Sequence, residues 1–155
     1  MSGPTPKRVL GTAQVSETFQ QERAGDAYAD PYVVPLIETV PTLEETARAA
    51  LNILDDDPDG LFLMIEGGAV DWASHGNHSG RMIEEQIDFD NAVDAVVEWV
   101  KATCNWGEPL LRVTGDHETG YLTGPGSDPA WSPIVNNGAG QVPGMEWHSP
   151  HLTTR

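Results

Sequence analysis

Five side chains carry the chemistry that this sequence suggests. The apolar run "LFLMI" leads directly into Glu66, and Asp71 and His75 follow it. A second run, "LLRVTG", leads into Asp116 and His117. Carboxylate oxygen and imidazole nitrogen suit zinc, and a carboxylate with water suits magnesium. If "AVDWASH" is helical, Asp71 and His75 lie one turn apart on the same face and can grip one ion. Taken singly, each piece has a plainer explanation. An Asp four before a His is commonly a helix-surface pair, the Asp of "DH" is a common helix cap, and Glu66 can be a strand-end acid facing water. The joint pattern, with Gly67 and Gly68 permitting close backbone approach, favours a metal site.

Specific elements must position these groups. "PTLEETARAALNILDDD" places Thr42 as an N-cap with Glu45 three residues later, a capping box that satisfies two free backbone N–H groups. Leu43, Ala47, Ala50, Leu51 and Leu54 then share one face at helical spacing, which predicts an amphipathic helix ending near Asp55. After the turn "DDDPDG", "LFLMIE" has the length and continuity of a central strand covered on both faces. "GRMIEEQIDFDNAVDAVVEWVKAT" repeats Ile83, Ile87, Val93, Val96, Val97 and Val100 at spacings of three and four, predicting a helix of about five turns. "LLRVTG" reads as a second short strand. Strand, helix, strand in that order predicts a βαβ unit with a parallel sheet, whose ligands sit beyond the carboxyl ends of the strands. Residues 1–41 read as an irregular, Pro-punctuated lead-in with one possible strand at "RVLGTA", and 124–146 as irregular.

Composition limits the partners. The chain has 155 residues with 39% hydrophobic content, sufficient for one globular domain, and its 24 acids against 8 bases give a net charge of −16. Nucleic acid and anionic membranes are poor partners for such a surface. An anionic substrate would be repelled too, unless bound metal ions supplied positive charge locally. Cys104 is the single cysteine, so no internal disulfide forms. No apolar run approaches the roughly 18 residues of a membrane span, and "MSGPTPKRVLG" lacks a signal-peptide core.

"LMIEGGAVDWASHGNH" and "VTGDHETG" resemble the two metal-ligand motifs of bacterial alkaline phosphatases, and the resemblance runs from about residue 40 onward. It implies an α/β fold, a partial parallel-sheet sandwich with helices packed on a central sheet, in which 42–155 form the C-terminal part of the catalytic domain. It further implies two Zn2+ ions and one Mg2+. Glu66 corresponds to the magnesium-site carboxylate, Asp71 and His75 to ligands of the first zinc, and Asp116 and His117 to ligands of the second. The remaining first-zinc histidine falls in "GMEWHSPHLTTR", where His151 is the preferred match at a register offset of about one residue. His148 is the alternative, read in preference as a rim residue. His78 is taken as a loop histidine near the site. Trp72 either tunes the phosphate environment or packs in the core.

The implied activity is hydrolysis of phosphate monoesters. The resemblance also names what is missing, since residues 1–41 contain no match to the family's nucleophilic serine or threonine, its shared aspartate or its phosphate-clamping arginine. The expectation is therefore a C-terminal fragment that holds most metal ligands and no catalytic nucleophile, inactive alone. Alternatives are a non-catalytic metal-binding remnant and a related phosphodiesterase or phosphonate hydrolase. Members of the family are often homodimeric and are periplasmic or secreted, whereas this chain carries no recognisable export signal.

Overall fold

A computed structural model describes residues 8–15, 17–104, 106–127 and 130–148. Three helices dominate: α1 (Leu43–Leu54), α2 (Ala69–His75) and α3 (Ser79–Thr103). Helix α1 begins as its sequence dictates. Thr42 Oγ1 accepts from the Glu45 N–H at 3.1 Å, and the Glu45 carboxylate accepts from the Thr42 N–H at 2.9 Å, which closes the capping box. The next orphan donor, the Leu43 N–H, reaches Asp88 of α3 at 3.0 Å, so a tertiary contact completes the cap.

Helix α3 spans 25 residues, roughly seven turns rather than the expected five. Both α1 and α2 pack on it. Its buried face is not the expected apolar stripe. Val100 is buried as anticipated, but Ile87 is 40% exposed, and the core positions are Ala92 and Ala95 together with the polar Arg81, Glu84 and Glu85. Covering from several sides explains the shift: where helices and loop backbone approach closely, small side chains fit and large ones are pushed to the rim.

The lead-in lacks regular structure among the described residues, and the possible strand at 8–13 is not formed. It is nevertheless anchored. The Arg23 guanidinium donates to the carbonyls of Pro35 and Val34 at 3.0 and 2.8 Å, and forks onto both carboxylate oxygens of Glu84 at 2.9 and 2.7 Å. This buried pair combines a charge-assisted hydrogen bond from Nη2 to Oε1 with an ion-pair contact between Nη1 and Oε2, and it ties residues 20–35 to the N-terminal half of α3. Gly80 sits where that loop crosses the helix, and a Cβ there would run into the Ala29 carbonyl oxygen.

The sheet departs most from expectation. The described residues form one two-stranded antiparallel ribbon, β1 (Leu122–Thr123) paired with β2 (Glu146–Trp147). Residues 61–66 and 110–114 run without strand pairing to each other or to any described residue, so the parallel pairing expected of them is not formed. Nor is the first covered on both faces: Leu63 and Ile65 are half-buried, while Phe62 is 91% and Met64 77% exposed. The side chains alternate as in a strand, but the described residues supply cover for only one face. Residues 124–146 are largely irregular, as expected, apart from an isolated bridge between Val135 and Gly144.

Candidate metal centre

Helix α2 turns the spacing of Asp71 and His75 into geometry. With Asp71 in its first turn and His75 in its last, Asp71 Oδ2 and His75 Nε2 stand 3.5 Å apart on one face. Both side chains are about one-third exposed, so they are held by the helix yet open to a ligand. The second pair has the same separation, with His117 Nε2 3.5 Å from Asp116 Oδ2, but here the Asp116 side chain is 91% exposed.

Thr119 joins the two pairs. Its hydroxyl donates to Asp71 Oδ1 and lies 3.3 Å from His117 Nδ1. One threonine thus stands between the helix-borne acid of the first motif and the imidazole of the second. Thr119 is not among the residues expected at the site, although it lies within "DHETG"; a hydroxyl two positions after a candidate ligand is its signal in the sequence. The His117 Nδ1 is also 2.9 Å from the Glu118 carbonyl. A carbonyl only accepts, so Nδ1 is the donor and the Nε2 lone pair is left free, the arrangement by which a second hydrogen bond orients a ligating histidine. That hydrogen bond, reinforced by the charges of Asp116 and Asp71, raises the His117 pKa.

The donor chemistry of both pairs fits zinc. Each is a half-site: among the described residues, no group of three or more His, Cys, Asp or Glu side chains is gathered to hold a metal ion. Glu66 is exposed. Its carboxylate folds toward Gly68 at the start of α2, where a Cβ would come within 3.2 Å of Oε1, and it makes no hydrogen bond or ion pair to the other four candidates. His151 lies outside the described residues.

The neighbouring aromatic residues separate into roles. His148 packs on the ribbon, with Nε2 2.7 Å from Thr123 Oγ1, its N–H donating to the Gly120 carbonyl, and its ring 5.1 Å from that of Tyr121. His78 precedes α3 at its N-cap position and meets Tyr28 edge to face at 5.0 Å. Trp72 is 50% exposed, which removes the core-packing explanation for it. Trp147 donates from its indole N–H to Ser79 Oγ at 2.8 Å, pinning the ribbon to the start of α3.

The sequence profile of the alkaline phosphatase family matches residues 6–146. Alkaline phosphatase H of Pseudomonas aeruginosa is 37% identical over 115 residues, covering 74% of this chain and 23% of its own length. Alkaline phosphatase 3 of Bacillus subtilis is 33% identical over 90 residues, covering 58% of this chain and 19% of its own. The repressible alkaline phosphatase of Saccharomyces cerevisiae is 38% identical over 88 residues, covering 53% and 15%. The chain therefore spans less than a quarter of the length of these relatives.

Proposed function

Given that the chain belongs to the alkaline phosphatase family, we propose that it carries metal-holding half-sites of a phosphomonoester hydrolase without the nucleophile. The observation that carries this reading is Thr119, which links Asp71 to His117 and so brings the two motifs together. Asp71 and His75 would hold one zinc, completed by His151, while Asp116 and His117 would hold the second, and Glu66 would serve magnesium. Bound there, such ions supply Lewis acidity toward a phosphoryl oxygen and positive charge against the chain's own −16.

The chain's own groups have definable tasks. The α2 backbone fixes the spacing of Asp71 and His75. The Glu118 carbonyl holds the His117 tautomer, and the Thr119 hydroxyl orients the Asp71 carboxylate. The family's nucleophile motif has no match in residues 1–41, so the catalytic step is not assigned to a residue of this chain. A phosphate monoester is the substrate class that this reading assigns to the site.

Zinc titration of the purified chain tests the reading. Asp71→Ala and His117→Ala should each weaken zinc binding by more than the roughly 10–100-fold typical of losing a merely supporting group. Binding unchanged in both variants would overturn the assignment. Hydrolysis of an aryl phosphate by the chain alone, with zinc and magnesium supplied, should be undetectable; turnover that Asp116→Ala abolishes would show that a nucleophile is present after all.

A further inference from the structure

We infer that the cavity between the lead-in and α3 binds a primary alkylammonium group, with the carboxylates of Glu85 and Asp88 taking the cation and Tyr32, Leu36 and Ile87 flanking the methylene chain. The inference does not depend on the metal assignment.

Unmet negative charge is the first observation. Glu85 and Asp88 both line the cavity, and their spacing of three on α3 sets them on one face. Neither forms an ion pair among the described residues. Asp88 accepts the Leu43 N–H, a neutral donor, at 3.0 Å. Glu85 is only 9% exposed, and its buried Oε1 has no hydrogen-bond partner among the described residues. Arg23, whose charge acts on Glu85, is already committed to Glu84 at 2.9 and 2.7 Å. A buried acceptor without a donor is costly. The last torsion of a Glu side chain is broad, so a small rotation presents Oε1 to a donor in the cavity.

The walls define the rest of the ligand. Leu36 and Ile87 line the cavity and are 43% and 40% exposed, so apolar surface stands open beside the two acids. Tyr32 lines it too, with φ at +64°, a left-handed conformation uncommon for a residue with a side chain. Its N–H donates to Glu84 Oε1 at 2.6 Å and holds it there; backbone strain maintained in this way is typical of ligand sites. Burial and the neighbouring carboxylates raise the Tyr32 pKa, so the ring stays neutral and is a favourable neighbour for a cation. A bare metal ion fits less well, because no group of three or more His, Cys, Asp or Glu side chains is gathered for one among the described residues. The cavity of about 260 Å³ is smaller than the roughly 300 Å³ at which sites for drug-sized ligands begin, which suits a short chain ending in an ammonium. A free aliphatic amine and a lysine side chain of another protein share that chemistry.

The test titrates the full chain with n-butylammonium and follows amide chemical shifts, with a chelator present, at pH 8 and physiological ionic strength. Glu85 is ionised there, and salt screens the general attraction of a cation to a chain of charge −16. Saturable shifts at Tyr32 and residues 84–91 are expected, with a dissociation constant on the order of 1 mM, a range open to so small a ligand. Glu85→Gln with Asp88→Asn keeps the side-chain shapes and an acceptor for Leu43, and should weaken binding by about tenfold or more while the remaining α1 and α3 signals stay in place. Butan-1-ol, of like shape without the charge, should bind weaker by about the same factor. Shifts that do not saturate, shifts centred elsewhere, equal binding by the double variant, equal binding of the alcohol, or displacement of the amine by an equal concentration of calcium would each overturn the proposal. A parallel titration with lysine blocked at both ends as amides separates the two sources. Binding about tenfold tighter than that of n-butylammonium assigns the site to a protein side chain, and equal or weaker binding assigns it to a free amine.

Discussion

Glu85 is a carboxyl group whose burial works against its charge, and replacing it with Gln should stabilise the protein increasingly as pH rises. Desolvation pushes its pKa from 4.5 to about 7, with Asp88 and Glu84 adding repulsion and Arg23 and the Gln21 backbone opposing. A raised carboxyl pKa means that the folded state holds a proton that the unfolded state has released. Stability is therefore fully present below about 4.5, declines as pH rises toward 7, and is level above that. The full interval corresponds to about 3 kcal/mol. Glu85 also borders a cavity of about 260 Å³, lined in addition by Gln20, Tyr32 and Asp88, which lets solvent screen the charge and reduces the expected effect to about 2 kcal/mol. Gln cannot ionise, so the variant should gain about that much relative to the unsubstituted chain between pH 5 and pH 8. The comparison across pH cancels any constant cost of burying the amide, and it cancels the pH dependence of acids that do not interact with Glu85. Urea unfolding of both proteins at several pH values measures it. A difference in stability between the two that stays flat from pH 5 to pH 8 would show that the Glu85 site is wetter than its burial implies.

Two further substitutions probe the lead-in. Arg23→Ala leaves Glu84 buried with the Tyr32 N–H as its hydrogen-bond donor at 2.6 Å and Arg81 as the nearest described cation at 4.0 Å, and should cost about 3 kcal/mol in urea unfolding, with faster amide exchange across residues 20–35. Gly80→Ala, ordinarily a gain of roughly 1 kcal/mol inside a helix, should instead destabilise by about 1–3 kcal/mol, because the added Cβ meets the Ala29 carbonyl; a rise in melting temperature would refute the close approach.

What could be read from the sequence was local. Thr42 and Glu45 are three residues apart, and their capping box appears as expected, as does the end of α1 at Asp55. The helical period of α3 was equally plain, but its buried face was not. Contacts between Arg23 and Glu84 or Leu43 and Asp88 span 61 and 45 residues, and no periodicity encodes them. The lead-in, irregular by composition, gave no hint that it clasps α3. The ribbon of β1 and β2 is two residues per strand, too short for alternation to register. For the site, the motifs located Asp71, His75, Asp116 and His117, while the role of Thr119 emerged only once the chain brought "DHETG" against α2. The strand-like segments were recognised by their apolar content, but a strand is completed by its neighbours, and the neighbours are not among the described residues.

This contrast bears on the two half-sites. A helix satisfies its own backbone, so α2 holds Asp71 and His75 in register whether or not a sheet forms beside it. Asp116 and His117 instead follow an unpaired extended segment, and the Asp116 side chain is 91% exposed against 35% for Asp71. A preorganised pair loses less freedom on binding an ion than a pair that must first be ordered. In the chain alone, zinc should therefore bind chiefly through the α2 pair, and Asp71→Ala should weaken binding more than Asp116→Ala does. Calorimetric titration of both variants reads the ranking directly. Equal losses in the isolated chain would mean that the Thr119 and Glu118 contacts alone hold the second pair as firmly as a helix holds the first.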